Sequence, residues 1–207
     1  MPKIENFQTK EFKTEKGEVL VGIISDTHIS SGARALPKEI FEIFKDYNPP
    51  TTLPLAAGER APVDLIIHAG DIENLETLKE LEKIAPVFAV EGNMDGKETK
   101  EELPEGISLK IYNWKIGIIH SPFSFWLGSH FNLVQEKVAQ RLAEKENFDI
   151  LIFGHTHRPF LKELNFKGKN ILLINPGSAT IPFFTQPSVA ILKINPQNFE
   201  AKIIKLE

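Results

Sequence analysis

Seven residues in this sequence carry side chains suited to divalent cations: Asp26, His28, Asp71, Asn93, His120, His155 and His157. They fall in five short segments, Asp26-Thr27-His28, Gly70-Asp71, Gly92-Asn93, His120 and Gly154-His155-Thr156-His157, each closing an apolar run. Two carboxylates, an amide oxygen and four imidazoles make a mixed oxygen and nitrogen donor set, which suits Mn, Fe, Co, Ni or Zn. Any one of these histidines alone reads as a hydrogen-bonded core or rim residue. The Asp-x-His and His-x-His pairs carry more weight, because alternate residues of a strand share a side and both can face one ion. Left without ions, so many polar groups at strand ends would each need a separate partner.

The elements that must position these residues follow from periodicity. Residues 18–25 (EVLVGIIS) form a β-branched apolar run, the pattern of a strand buried on both faces that ends at Asp26. Residues 63–71 and 86–95 repeat that design, with helices expected over 33–46 and over 74–84, the latter capped by Asn74. Strand, helix, strand, helix, strand predicts a parallel sheet whose carboxyl ends line one edge, where open α/β sheets place ligands. Further on, 107–120 reads as two strands around Asn113, 131–147 as an amphipathic helix and 149–159 as another buried strand with a polar end. Hairpin turns are expected at 167–170 and 195–198. The chain therefore reads as two packed sheets with helices outside, in a single domain over 1–207, with an N-terminal extension at 1–17 and an inserted loop at 48–62.

Composition narrows the function classes. Cysteine is absent, which removes disulfides, thiolate ligands and cysteine nucleophiles. The formal charge of −4 provides no general basic footprint, so nucleic acid is not indicated as a partner without a local patch. The N-terminal residues are too charged for a signal-peptide core and no later stretch is apolar enough to span a bilayer, so a cytoplasmic location away from membranes is expected. Abundant Ile, Lys and Glu lean toward a thermophilic source.

Taken together, Ser25-Asp26-Thr27-His28, His68-Ala69-Gly70-Asp71, Glu91-Gly92-Asn93-Met94-Asp95, Ile119-His120-Ser121, Gly154-His155-Thr156-His157 and Asn175-Pro176-Gly177-Ser178 resemble the motifs of the calcineurin-like metallophosphoesterases, in particular their small bacterial and archaeal phosphodiesterase branch. The resemblance implies a four-layer α/β/β/α sandwich with two mixed sheets. It also implies two divalent ions, manganese favoured over Ni, Fe, Co or Zn. Asp26, His28 and His157 would hold one ion and Asn93, His120 and His155 the other, with Asp71 between them. The implied reaction is hydrolysis of a small phosphate ester by in-line attack of a metal-bridging hydroxide, with Asp71, Asn93 and His120 placed as catalytic. Gly70, Gly92 and Gly154 would turn the chain sharply and keep bulk away from the approaching phosphate.

Two positions depart from the family pattern. Met94 stands where the larger family often has a histidine that aids the leaving group, and methionine cannot donate a proton. Ser121-Pro122 replaces the usual Gly-His after His120. Met94 tilts the reading toward phosphodiesters, with a phosphomonoesterase or nucleotidase as the alternative; a non-catalytic scaffold, as in the retromer subunit of this fold, is the alternative from another class. Asp95 reads as support for the Asn93 turn or a nearby histidine, His68 and His130 as structural or supporting, and Arg158 as a phosphate contact or a surface ion pair. The basic residue that often follows Asn175-Pro-Gly-Ser is missing, since Pro182 is followed by Phe183. Phe123, Phe125 and Trp126 read as core or as a homo-oligomer contact, ahead of stacking a nucleobase or aryl group.

Overall fold

The computed structural model describes residues 7–47, 61–122, 131–166, 168–183 and 185–207, with 131–135 described by backbone alone. Most of the loop expected at 48–62, the cluster of Phe123, Phe125 and Trp126, and His130 lie outside the described residues. In chain order the elements are β1 (Gln8–Phe12), β2 (Val19–Ile24), α1 (Lys38–Lys45), β3 (Leu65–His68), α2 (Glu76–Glu82), β4 (Val87–Ala89), α3 (Lys97–Glu102), β5 (Gly106–Ile111), β6 (Trp114–Ile119), α4 (Phe131–Glu146), β7 (Ile150–Ile152), β8 (Phe160–Phe166), β9 (Lys169–Asn175), β10 (Ser188–Ile194) and β11 (Phe199–Lys205).

Two mixed sheets result, one ordered β1-β5-β6-β7-β9-β8 and the other β11-β10-β2-β3-β4. Their centres are parallel: β2, β3 and β4 in the second sheet, β6, β7 and β9 in the first. The apolar runs explain the layering. Val19, Val21, Ile23, Leu65 and Ile67 point inward and meet Ile116, Ile118, Ile150, Ile152, Leu172 and Ile174 from the other sheet. The alternate residues Ile24, Ile66 and Ile191 face outward onto Ile40 and Phe44 of α1 and Leu81 of α2. Ile119, Leu151, Ile171 and Leu173 do the same toward Ala139 and Ala143 of α4 and toward Phe148. The central strands are thus covered on both faces, giving the four-layer α/β/β/α order. Gly22 seats α1 on β2, since a Cβ there would lie 2.9 Å from the fully buried Phe44 ring. Truncating Phe44 to alanine removes a contact worth about 3–5 kcal/mol.

Several boundaries differ from the pattern-based expectation. Residues 8–12 of the N-terminal extension are a strand, paired parallel to β5 at the sheet edge. The first helix begins at Lys38, not at 33, because Pro37 holds an extended conformation with φ −53° and ψ 138°. Asn74 does cap the second helix locally, its Oδ1 accepting the Glu76 N–H at 3.0 Å. The short helix α3 was not expected. Both late hairpins form, and Asn195 Oδ1 fixes its turn by accepting the N–H groups of Gln197 and Asn198. No helix among the described residues is long and apolar enough to cross a membrane.

Candidate metal centre

The seven singled-out residues all lie just past strand ends: Asp26 and His28 after β2, Asp71 after β3, Asn93 after β4, His120 after β6, and His155 and His157 after β7. One sheet therefore supplies Asp26, His28, Asp71 and Asn93, and the other supplies the remaining three histidines. Strand alternation is not what aligns them. Asp26, His28, Asp71, His155 and His157 have φ of 52°, 43°, 54°, 70° and 55°, so the Asp-x-His and His-x-His pairs sit in left-handed turns. Such conformations cost about 1–2 kcal/mol each for residues with a Cβ, least for Asn, Asp and His. Backbone bonds past the strand ends hold them: Asp26 N–H to Gly70 O at 3.0 Å, His28 N–H to Asp71 O at 3.1 Å and Gly154 N–H to His120 O at 2.9 Å.

Two groups of ligand atoms result, Asp26, His28, Asp71 and His157 in one and Asp71, His120 and His155 in the other, each with its atoms within 4.8 Å of one another. Asp71 belongs to both. His155 and His157, adjacent but one in sequence, go to different groups. Asn93 Oδ1 stands 3.0 Å from His120 Nε2, beside the second group. Asp71 Oδ2 is 3.2 Å from His120 Nε2 and 3.6 Å from His28 Nε2.

The rings are oriented by bonds from their other nitrogens. His28 Nδ1 donates to Glu73 Oε1 at 2.6 Å, His120 Nδ1 to Ala69 O at 2.8 Å, and His157 Nδ1 to Ile181 O at 2.6 Å. Each of these rings then presents Nε2 to the centre, the arrangement usual for metal-bound imidazoles. His28 Nε2 and His157 Nε2 lie 3.1 Å apart. With both Nδ1 atoms committed as donors, two neutral rings aim lone pairs at each other, a repulsion that a shared cation removes. On this chemistry the residues fit divalent ions.

Charge in the metal-free centre follows the same logic. Burial acts to raise the Asp71 pKa, but the hydrogen bond and charge of His120, the Met94 N–H and the charge of His28 bring it down to about 2. Burial acts to lower that of His120, and its bond to Asp71 with the Asp26 and Asp71 charges carries it up to about 9. A proton on His120 thus occupies the place of a cation. His155 is pushed down to about 4 by burial and by charged His120. Burial pushes Asp26 upward.

Gly70, with φ 88°, makes the sharp turn expected of it, while Gly92 and Gly154 allow a close approach. A Cβ on Gly92 would stand 2.1 Å from Asp71 Oδ1, and one on Gly154 would stand 1.9 Å from Ser25 Oγ. Those two glycines admit neighbouring loops of the centre. Asp95 joins two such loops: its Oδ1 accepts the N–H groups of Ile72 at 2.8 Å and Glu73 at 2.6 Å, and its Oδ2 that of Gly92 at 2.7 Å. Met94 donates its N–H to Asp71 Oδ1 at 2.8 Å. Asn175 donates to Gly154 O at 2.8 Å, so its motif shapes the loop bearing His155 and His157. His68 is buried in β3 with Nε2 on Thr27 Oγ1 at 3.1 Å, which makes it support for the turn between Asp26 and His28. Sequence reasoning missed Glu73 and Ser31, which bind each other while Glu73 holds His28. The only signal was a carboxylate two residues past Asp71.

A model of the calcineurin-like phosphoesterase superfamily domain matches residues 19–197. A probable metallophosphoesterase of Methanothermobacter thermautotrophicus is 36% identical over 187 residues, covering 90% of this chain and 92% of that protein. A phosphodiesterase of Methanocaldococcus jannaschii is 28% identical over 199 residues, covering 89% of this chain and 99% of its own. The solved structure of Vacuolar Protein Sorting 29 from Cryptosporidium parvum superposes with a TM-score of 0.65 at 22% identity, over 92% of this chain and 100% of that one, a likeness of fold.

Proposed function

The chain belongs to the calcineurin-like phosphoesterase superfamily, and from that premise we propose that it is a metal-dependent phosphodiesterase with a centre for two divalent ions. The observation that carries the reading is Asp71, whose carboxylate is common to both groups of ligand atoms. Asp26, His28 and His157 would hold one ion and Asn93, His120 and His155 the other, with Asp71 shared and manganese the ion we favour. When bound, such a pair would lower the pKa of water at the site and offset charge on phosphoryl oxygens during in-line displacement.

The protein's own part is placement. The Met94 N–H fixes one oxygen of Asp71 and leaves the other toward the histidines. Glu73, Ala69 O and Ile181 O fix three imidazoles, so the centre is arranged before ions or substrate arrive. Two dications outweigh the carboxylates of Asp26 and Asp71, which leaves a positive site for an anionic ester. The side chain after Asn93 is Met94, which has no proton to give a departing oxygen. Esters whose leaving group is already a stable anion are favoured, and the relative named a phosphodiesterase supports diesters.

The deciding experiment loads purified protein with Mn or Ni and compares bis-p-nitrophenyl phosphate with p-nitrophenyl phosphate. Faster turnover of the diester is expected, with loss in Asp71→Asn. Faster turnover of the monoester would make the protein a phosphomonoesterase. Protein that retains no metal and hydrolyses neither compound would return the interaction-scaffold reading.

A further inference from the structure

Three large hydrophobic side chains are exposed among the described residues: Met94, Leu161 and Phe183. Two of them border the metal centre. Met94 follows Asn93 and is 55% exposed, although its N–H is bound to Asp71. Phe183 is 52% exposed while its ring lies parallel on His157, centroids 4.5 Å apart and planes 11° apart. A phenyl ring with one face against an imidazole and half its surface still accessible has its other face open.

That ring stands on a fixed segment. Ser178 Oγ accepts the N–H of Ile181 at 2.8 Å and donates to Asp26 O at 2.7 Å. Ile181 O in turn receives His157 Nδ1. Pro182, with its restricted φ, then leads directly to Phe183. The same bonds that orient a proposed ligand therefore orient the phenyl ring, and an ester phosphate at the centre brings its substituents alongside. Burial of an open aromatic face against a planar partner is favourable for any nucleobase or aryl ring.

We infer that the open face of Phe183 is a stacking platform for a planar aromatic group on the ester, a nucleobase or an aryl ring; this rests on the phosphodiesterase reading. Phe183 is a specificity-determining residue in this view.

The test uses three diesters that share one leaving group: methyl, phenyl and thymidine 5′-(p-nitrophenyl) phosphate, with Mn-loaded protein. Expected is a kcat/KM about tenfold higher for the phenyl or thymidine ester than for the methyl ester, carried by KM. Preference for both, or for either alone, supports the platform and tells aryl from nucleobase. Phe183→Ala is expected to abolish the preference and Phe183→Tyr to retain it. Calorimetry supplies a second readout, phenylphosphonate binding about tenfold more tightly than methylphosphonate in wild type and equally in Phe183→Ala. Equal kcat/KM for all three esters together with equal binding of the two phosphonates in wild type overturns the platform. So, with that equal binding, does a Phe183→Ala loss that is equal for all three, which would make Phe183 a mere prop for His157. Tighter phenylphosphonate binding supports the platform even when the esters are equal, because the p-nitrophenyl ring they share can itself take the open face. If no ester is hydrolysed, the phosphodiesterase reading fails, and the two phosphonates still decide the platform.

Discussion

Asp95→Asn is the substitution whose consequences the geometry specifies most fully. Asp95 is 5% exposed and takes three backbone N–H groups, Ile72 and Glu73 on one oxygen and Gly92 on the other. An amide has one acceptor oxygen, so either orientation sets its NH2 group against at least one buried N–H. The cheaper orientation keeps the Ile72 and Glu73 bonds and opposes the Gly92 N–H. A hydrogen bond to a charged group is worth about 1.5–3 kcal/mol, and a buried donor left without an acceptor costs a similar amount. The two retained bonds also weaken when the charge goes. The sum is at least about 3 kcal/mol, which for a domain of this size lowers Tm by at least about 6–12 °C. The Gly92 turn also carries Asn93 and the Met94 N–H that holds Asp71, so metal affinity is expected to fall about 10–100-fold. Urea unfolding of the metal-free proteins gives the first number, and Mn titration followed by calorimetry the second. Wild-type stability within about 0.5 kcal/mol together with unchanged Mn affinity would refute the claim that Asp95 ties these loops together.

Other expectations follow from the same centre. Asp71→Asn should keep the far-UV circular dichroism of the wild type and lose at least about a hundredfold in diester hydrolysis, measured at saturating Mn. Glu73→Gln removes the charged acceptor of His28 Nδ1 and should lower activity about 10–100-fold, with partial recovery at high metal concentration. In the metal-free protein His120 is raised from 6.5 to about 9, so its contribution to stability is complete below pH 6.5 and lost as pH rises through about 9. Asp71, depressed from 3.8 to about 2, contributes above pH 3.8 and loses that contribution as pH falls through about 2. At pH 8 metal loading should therefore release about one proton more in wild type than in His120→Gln, read by calorimetry in buffers of different ionisation enthalpy.

The buried strands were legible because parallel strands covered on both faces need unbroken apolar runs, and the residues that end those runs stand out by contrast. β2, β3 and β7 are found that way, and with them Asp26, Asp71 and His155. β1 and α3 are not, for physical reasons. The strand QTKEF lies at a sheet edge with four polar residues out of five, so neither period 2 nor a continuous apolar run appears. The helix KETKEE buries Thr99 alone and has no apolar stripe. The partnership of His28 with Glu73 depends on a left-handed turn at Glu73, with φ 64°, a backbone state that no pattern of side-chain types announces. That same hidden variable explains why the residues picked out by the Asp-x-His spacing lie together in left-handed turns and not by alternation on a strand. Alternation on a strand would have aimed His155 and His157 at one ion, whereas turns send them to two groups.

Each of those groups takes atoms from both sheets: His157 joins three residues of the other sheet, and Asp71 joins His120 and His155. Filled with ions, the centre would act as a clasp at one end of the sandwich, while the far end is held by apolar contact and by single hydrogen bonds, Trp114 Nε1–H to Asn195 O at 2.7 Å and Tyr112 O–H to Lys16 O at 2.6 Å. Pulling the sheets apart from the clasped end would then require breaking coordinate bonds first, so metal should slow unfolding more than it speeds refolding. Amide exchange ought to show the asymmetry directly, with protection rising on metal addition around residues 24–28, 69–73 and 153–157 and fading toward the opposite rim.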